Sequence, residues 1–278
     1  MQDTTTIKAG AANIPALGLG TYGLNGEACS KIVAQAAAIG YRHFDTAAMY
    51  GNEEAVGAGL RAAGLPRSEV FVTTKVMSEH IADGALQRSA EQSLARLKLD
   101  TVDLLLIHWP NPRIPLKASI KALCDARKRG LARHIGVSNF PSALLEEALG
   151  HASEEIVANQ CEYHPRLAQT KLIETCRRHS IAFTSYCPLG RGDVLSEPVV
   201  LEIARAHHKT PAQIVLRWHV QQPGVAAIPK SGTPSRLSEN INIFDFALSE
   251  SDMARLFALQ LQNGRMVQPA HSPRWDPA

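Results

Sequence analysis

Eight short, β-rich apolar runs, each separated from the next by a helical pattern, limit what this chain can fold into. The runs end near 17–20, 44–47, 71–76, 102–108, 134–139, 157–163, 181–186 and 225–229. Several, such as VFVTTKV and VDLLLI, are apolar on both faces, as strands of a parallel sheet covered on both sides must be. Helical stripes fill the gaps. Within 83–98, Leu86, Ala90, Leu94 and Leu97 recur at helical spacing, with Asp83 as the expected N-cap. Within 116–129, Leu116, Ile120, Leu123 and Cys124 repeat the pattern, and Gly130 is the expected stop. Thr210-Pro211 reads as N-cap plus first helical residue ahead of Ile214, Val215 and Trp218. Run starts fall about 25–30 residues apart, the repeat of a strand–helix unit, except that the last interval holds two helical stretches, near 196–208 and 210–222. Eight such units predict a closed (β/α)8 TIM barrel, an α/β fold occupying residues 1–278 as one domain. Periodicity alone leaves an open α/β sheet as the alternative.

Composition narrows the function. With 29 basic and 26 acidic residues the net charge is +3, which offers no electrostatic footprint for nucleic acid. No apolar run reaches the roughly 18–20 residues of a membrane helix, and residues 1–10 are polar with no secretory h-region. The five cysteines are odd in number, scattered and free of any C-x-x-C pair, which predicts reduced thiols and a cytoplasmic protein. No nucleic-acid or membrane partner is expected.

Gly18-Leu-Gly20-Thr-Tyr-Gly23 matches G-x-G-x-x-G, with Asp45 about 20 residues on, as in a dinucleotide fingerprint. That motif works only when a helix opens at the glycines, so that its N-terminal amides reach the pyrophosphate. Here Leu24, Asn25 and Gly26 intervene and helical periodicity starts near Glu27. The Rossmann reading is therefore set aside.

In a barrel the C-terminal strand ends converge on one mouth. Strand two ends in Phe44-Asp45-Thr46-Ala47 and runs on to Tyr50; strand three embeds Lys75 among apolar residues; strand four ends at His108; strand five ends in Ser138-Asn139. Each has an innocent explanation: a strand-end Asp can cap a helix, a strand lysine can snorkel, and a lone His is usually structural. Their coincidence is harder to dismiss. An ammonium at Lys75 is expected to lower the Tyr50 pKa, Asp45 to hold that ammonium charged, and His108 to donate to a carbonyl oxygen. The chain has no G-x-S-x-G elbow and no H-E-x-x-H, and neighbouring His207 and His208 diverge on a helix. Carbonyl reduction, with no metal, fits these groups better than hydrolysis.

These residues resemble the aldo-keto reductase superfamily. The matching motifs are F-D-T-A-x-x-Y-G-N-E at 44–53, T-T-K at 73–75, L-I-H-W-P at 106–110 and I-G-V-S-N-F at 135–140. N-Q-x-E-Y-H-P at 159–165, S-Y-x-P-L-G at 185–190 and I-P-K-S at 228–231 follow in the family's order. The resemblance is strongest to bacterial members of the 2,5-diketo-D-gluconic acid reductase type. It implies an N-terminal β-hairpin closing the barrel bottom, and NADPH-dependent reduction of aldehydes or activated ketones, with NADH less favoured. Its catalytic tetrad falls on Asp45, Tyr50, Lys75 and His108. For the cofactor it implies Gly20, Thr21 and Asp45 at the nicotinamide ribose, and Ser138, Asn139 and Gln160 at the carboxamide. Tyr186 would stack on the ring, with Pro188, Leu189 and Gly190 near the pyrophosphate. Lys230, Ser231, Thr233, Arg236, Glu239 and Asn240 would take the adenosine-phosphate end. Tyr22, Met77, Trp109 and Trp275 are expected to line the substrate pocket beside Tyr50 and His108, and the protein to act as a monomer on small carbonyl compounds.

Some positions depart from the family. Met77 replaces a common aromatic, the segment 110–116 is short, and Arg191-Gly192-Asp193 and Gly232 are unusual. They bear on substrate identity. Two rival functions stay open: a cofactor-binding regulatory subunit, as channel-associated members of this superfamily are, and a barrel isomerase or hydrolase that would not need the cofactor-end residues.

Overall fold

The computed structural model describes residues 6–261 and 263–277. Two short strands, β1 (Thr6–Ala9) and β2 (Ala12–Pro15), pair antiparallel about Gly10, whose φ of 53° is left-handed. Eight parallel strands follow: β3 (Leu19–Gly20), β4 (His43–Asp45), β5 (Phe71–Val76), β6 (Val102–Ile107), β7 (Ala132–Ser138), β8 (Ile156–Glu162), β9 (Ala182–Tyr186) and β10 (Val225–Ala227). They lie in sequential order, and β10 returns to β3 through the parallel bridges Leu17 to Ala227 and Gly20 to Lys230. The sheet is thus the (β/α)8 barrel expected from the rhythm of the runs.

The glycines of the rejected fingerprint serve this seam. Gly18 N–H donates to the Ala227 carbonyl at 2.9 Å and Gly20 N–H to the Pro229 carbonyl at 3.0 Å. A Cβ on Gly20 would sit 2.7 Å from the Ile228 carbonyl oxygen, so only glycine lets the strands close. The following helix, α1 (Gly26–Ala38), begins well past them, as its periodicity indicates.

Alternation along the strands divides the apolar residues into two cores. One side packs against the surrounding helices. The other points inward, where Leu104, Leu106 and Ala158 meet Ala9, Ala12 and Ile14 of the hairpin. The hairpin therefore plugs the end of the barrel at which the strands start.

Helices α2 (Glu53–Ala63), α3 (Ala85–Leu97), α4 (Leu116–Lys128), α5 (Ser142–His151) and α6 (Thr170–Arg178) cover the outside in turn. Two helices, α7 (Pro198–His207) and α8 (Pro211–Val220), fill the long interval before β10; α9 (Pro234–Ile241) and α10 (Glu250–Phe257) come after it. Thr210 caps α8 reciprocally with Gln213, and Gly130 follows α4 at φ 77°. One cap differs from expectation. Gly84, at φ 74°, is the N-cap of α3; Asp83 stands one residue outside, its Oδ1 accepting from Gly84 N–H and from Gln87 Nε2. The left-handed turn needs glycine, and the carboxylate serves it from the preceding position.

Candidate active site

The mouth of the barrel is assembled from strand ends. Asp45 closes β4, and a single 3-10 turn, Ala48–Tyr50, carries the chain to Tyr50, where left-handed Gly51 turns it into α2. The register that pairs Asp45 with Thr73 sets Lys75 farther along β5, toward the mouth. Lys75 is fully buried, so the snorkelling alternative fails. Its Nζ meets three oxygens: Asp45 Oδ1 at 2.5 Å, the Thr46 carbonyl at 2.8 Å and Tyr50 Oη at 3.3 Å. Three donors thus face three acceptors.

Burial disfavours the ammonium, but Asp45 and Tyr50 outweigh it, so the Lys75 pKa rises above its ordinary value and the charge persists. Tyr50 corrects an expectation. Burial pushes its phenol up more than Lys75 pulls it down, so the net shift is upward and the hydroxyl is held protonated. His108 lies beside it, ring centroids 5.7 Å apart. Burial, then the charge of Lys75 and the nearby His271, hold its pKa well below the usual imidazole value, so the ring is neutral. Its buried Nδ1 has no hydrogen-bond partner among the described residues.

The second Asp45 oxygen accepts from Gln160 Nε2 at 2.7 Å, which ties β8 to the same cluster. Ser138 Oγ donates to the Gln160 carbonyl, and Asn139, left-handed at φ 65°, donates to the His108 carbonyl. Tyr186 hydroxyl in turn donates to Asn139 Oδ1 at 2.8 Å. Thr21 Oγ1 donates to the Asp45 carbonyl at 2.9 Å, bringing the end of β3 into the network. Residues 188–190 leave β9 for a distorted 3-10 segment in which Arg191 and Gly192 have φ of 54° and 105°. Non-glycine residues at positive φ just past strand ends (Asn139, Cys187) and in the 3-10 segment that follows β9 (Arg191) are strain of the kind that collects at functional sites.

After β10, Lys230, Thr233 and Arg236 are exposed, and neither cation has an acidic partner among the described residues. Ser231 Oγ accepts the Thr233 N–H at 3.1 Å. Asn240 is buried, yet its side chain makes no hydrogen bond among the described residues. Glu239 differs from its neighbours: its Oε1 already accepts from Thr210 Oγ1 at 2.6 Å, so it also serves the start of α8. Unpaired cations, a spare amide and hydroxyls next to a helix start suit a phosphorylated ligand. At the other end, Gln160 Oε1 accepts no hydrogen bond among the described residues, which leaves an acceptor for a carboxamide. These donor sets fit a nicotinamide nucleotide.

Beside His108, whose ring borders that of Tyr50, opens a cleft of about 390 Å³, lined among others by Met77, Trp109, Met49, Arg191, Met266 and His271. Tyr22, 65% exposed, touches the Tyr50 ring edge-on at 5.1 Å from outside this cleft. Trp275 packs on Trp109, with centroids 6.2 Å apart, and so backs the wall. Arg191 lies in a segment whose departure from the family was expected to bear on the substrate, whereas Met49 and the tail residues 266–269 and 271 escape sequence reasoning. Met49 adjoins Tyr50 inside a matched motif and could have been inferred from that; the tail has no periodicity to read.

A barrel whose mouth joins a buried Lys–Asp pair to a protonated phenol and a neutral imidazole is the framework of a carbonyl-reducing enzyme. The chain belongs to the aldo/keto reductase family, whose model matches residues 16–260. Among similar proteins, "Methylglyoxal reductase DkgB" of Escherichia coli O157:H7 is 39% identical over 267 residues, covering 95% of this chain and 99% of its own. A crystal structure provisionally named 2,5-diketo-D-gluconic acid reductase B superposes with a TM-score of 0.96 at 44% identity, over 98% of both chains. The NADPH complex of a Gox0644 mutant gives 0.90 at 37% identity, over 96% of this chain and 97% of that one.

Proposed function

We propose that this protein is an NADPH-dependent reductase of small aldehydes and activated ketones, 2-oxoaldehydes and diketo sugar acids among them, with Tyr50 as the proton donor. The observation that carries the reading is the contact of one buried ammonium, Lys75 Nζ, with both Asp45 and Tyr50. When bound, NADPH supplies the hydride. Tyr50 holds the proton at Oη and releases it to the carbonyl oxygen; Lys75 stabilises the tyrosinate that remains. Asp45 keeps Lys75 charged and aimed. His108, being neutral, retains a ring N–H that can orient the carbonyl oxygen beside Tyr50. Ser138, Asn139 and Gln160 would hold the carboxamide and Tyr186 the ring. Gly20 and Thr21 would take the ribose, Pro188, Leu189 and Gly190 the pyrophosphate, and Lys230, Ser231, Thr233, Arg236, Glu239 and Asn240 the adenosine-phosphate end. The named methylglyoxal reductase among the relatives supports a small 2-oxoaldehyde as substrate.

Steady-state oxidation of NADPH over methylglyoxal, 4-nitrobenzaldehyde and diketo sugar acids tests this. Turnover of at least one of these carbonyls is expected. Tight NADPH binding without turnover of any of them would favour a regulatory subunit instead.

A further inference from the structure

Glu162 ends β8 with a carboxylate that is wholly buried and takes no part in the chemistry above. Its oxygens are used on the chain's own tail. Met266 N–H donates to Oε1 at 2.7 Å and Val267 N–H to Oε2 at 2.9 Å. His164 Nε2 lies 3.2 Å from Oε1, and Arg265 Nη1 3.9 Å from Oε2. The tail after α10 has no helix or strand among its described residues, so these bonds and a few others decide its path. Leu261 N–H donates to the Arg166 carbonyl at 3.0 Å. A Cβ on Gly264 would fall 1.9 Å from that same carbonyl oxygen, so the backbones touch there. Arg265 stacks over the Trp275 ring at 3.5 Å, and Asp276 Oδ2 accepts the N–H and hydroxyl of Ser142 at 2.8 Å each. The segment 266–271, which walls the cleft, is therefore bracketed by ties, and Glu162 makes the tie at its start.

Resting on the reductase reading of that cleft, we infer that Glu162 is a positioning residue that sets substrate size selectivity by fastening the tail wall through the Met266 and Val267 amides. A carboxylate suits this task because two converging N–H donors need an acceptor on each oxygen. Glutamine has the same shape but would turn an NH₂ donor toward one of the two amides. A substrate large enough to touch the wall feels that change, whereas one confined to Tyr50 and His108 does not.

The test compares wild type with Glu162→Gln and Glu162→Asp on methylglyoxal and on 2-naphthaldehyde, with NADPH titrated separately. For Glu162→Gln the KM for 2-naphthaldehyde should rise on the order of ten-fold, corresponding to about 1.4 kcal/mol. KM and kcat for methylglyoxal, and NADPH affinity, should stay near wild type. Glu162→Asp, which keeps both acceptors, should recover part of the selectivity. Hydrogen exchange on the wild type needs no substitution: the Met266 and Val267 amides should exchange much more slowly than those of Gln268 and His271. An unchanged ratio between the two aldehydes, an equal loss on both, or fast exchange of both amides would overturn the inference. Wild type inactive on both aldehydes and on 4-nitrobenzaldehyde and diketo sugar acids as well would instead remove the reductase reading, leaving the exchange measurement to judge the latch.

Discussion

Desolvating an ammonium costs several kcal/mol unless opposite charge and aimed oxygens surround it, and Lys75 has both in Asp45, Thr46 and Tyr50. Substitutions around it should therefore separate chemistry from stability. Tyr50→Phe removes the proton donor and keeps the ring, so reduction should fall by about 10²–10⁴-fold, the usual worth of general acid catalysis. NADPH binding, followed by fluorescence titration, should be unaffected. Near-normal turnover on several aldehydes would exclude Tyr50 as donor. Lys75→Met deletes the charge and strands the buried Asp45 carboxylate, a loss of about 3–5 kcal/mol in comparable buried pairs. Thermal unfolding should show that loss and kinetics a fall in rate; a fully active variant of unchanged stability would disprove the coupling. Because the Tyr50 pKa lies above its ordinary value, the donor stays protonated across neutral pH. Wild-type reduction should accordingly weaken only on the alkaline side, near or above pH ~10. A fall between neutrality and that point would contradict the upward shift.

At the scale of elements, legibility follows the cause of each structure. Strands β5 and β6 are buried on both faces, so composition betrays them. Thr210 announces α8 because capping chemistry is local. Asp83 misleads by one position because the turn at Gly84 depends on a left-handed φ, which the side-chain pattern does not encode. The tail is illegible for a stronger reason: its partners, Glu162 and Arg166, lie about a hundred residues away, and no local periodicity records contacts of that range. The same contrast governs the site. Asp45, Tyr50, Lys75 and His108 sit at strand ends that topology must bring together, whereas Arg191 and His271 reach the cleft on irregular chain. The segment from β10 into α9 belongs to this scale too. Lys230 and Arg236 stand exposed without acidic partners among the described residues at its two ends, a pairing suited to the 2′-phosphate that distinguishes NADPH from NADH. Arg236→Ala should raise the KM for NADPH much more than that for NADH, and added salt should weaken NADPH selectively. Equal use of both cofactors, unaltered by Arg236→Ala, would refute a phosphate site there.

For the whole molecule, the state shared by three of its buried histidines predicts how it responds to acid. His43, His108 and His219 are all shifted below the usual imidazole value, burial being the largest cause in each. His219 is the sharpest case. It is fully buried between the Val215 and Tyr163 carbonyls, at 2.8 and 3.1 Å, and its pKa is brought down to about 4. The carbonyls favour the charged ring, but desolvation outweighs them. The folded protein thus holds these rings neutral while an unfolded chain takes up protons below about pH 6.5. Between those values the unfolded state binds more protons, so stability rises with pH and is lost as pH falls. For His219 alone the full loss, complete near its folded pKa, is on the order of 3 kcal/mol. Carboxylates held low by partners, such as Glu162, stabilise the fold above about pH 4.3 and lose that contribution only as pH falls below it, so the histidine window can be measured apart from them. Thermal unfolding followed from about pH 7 to pH 5 should show the midpoint falling by several degrees, at roughly 2–4 °C per kcal/mol for a chain of this class. His219→Gln, which cannot titrate and can still donate to one carbonyl, should flatten part of that slope. A midpoint that stays constant over this range, or a slope identical in wild type and His219→Gln, would show that the buried imidazoles do not govern the acid limit of the fold.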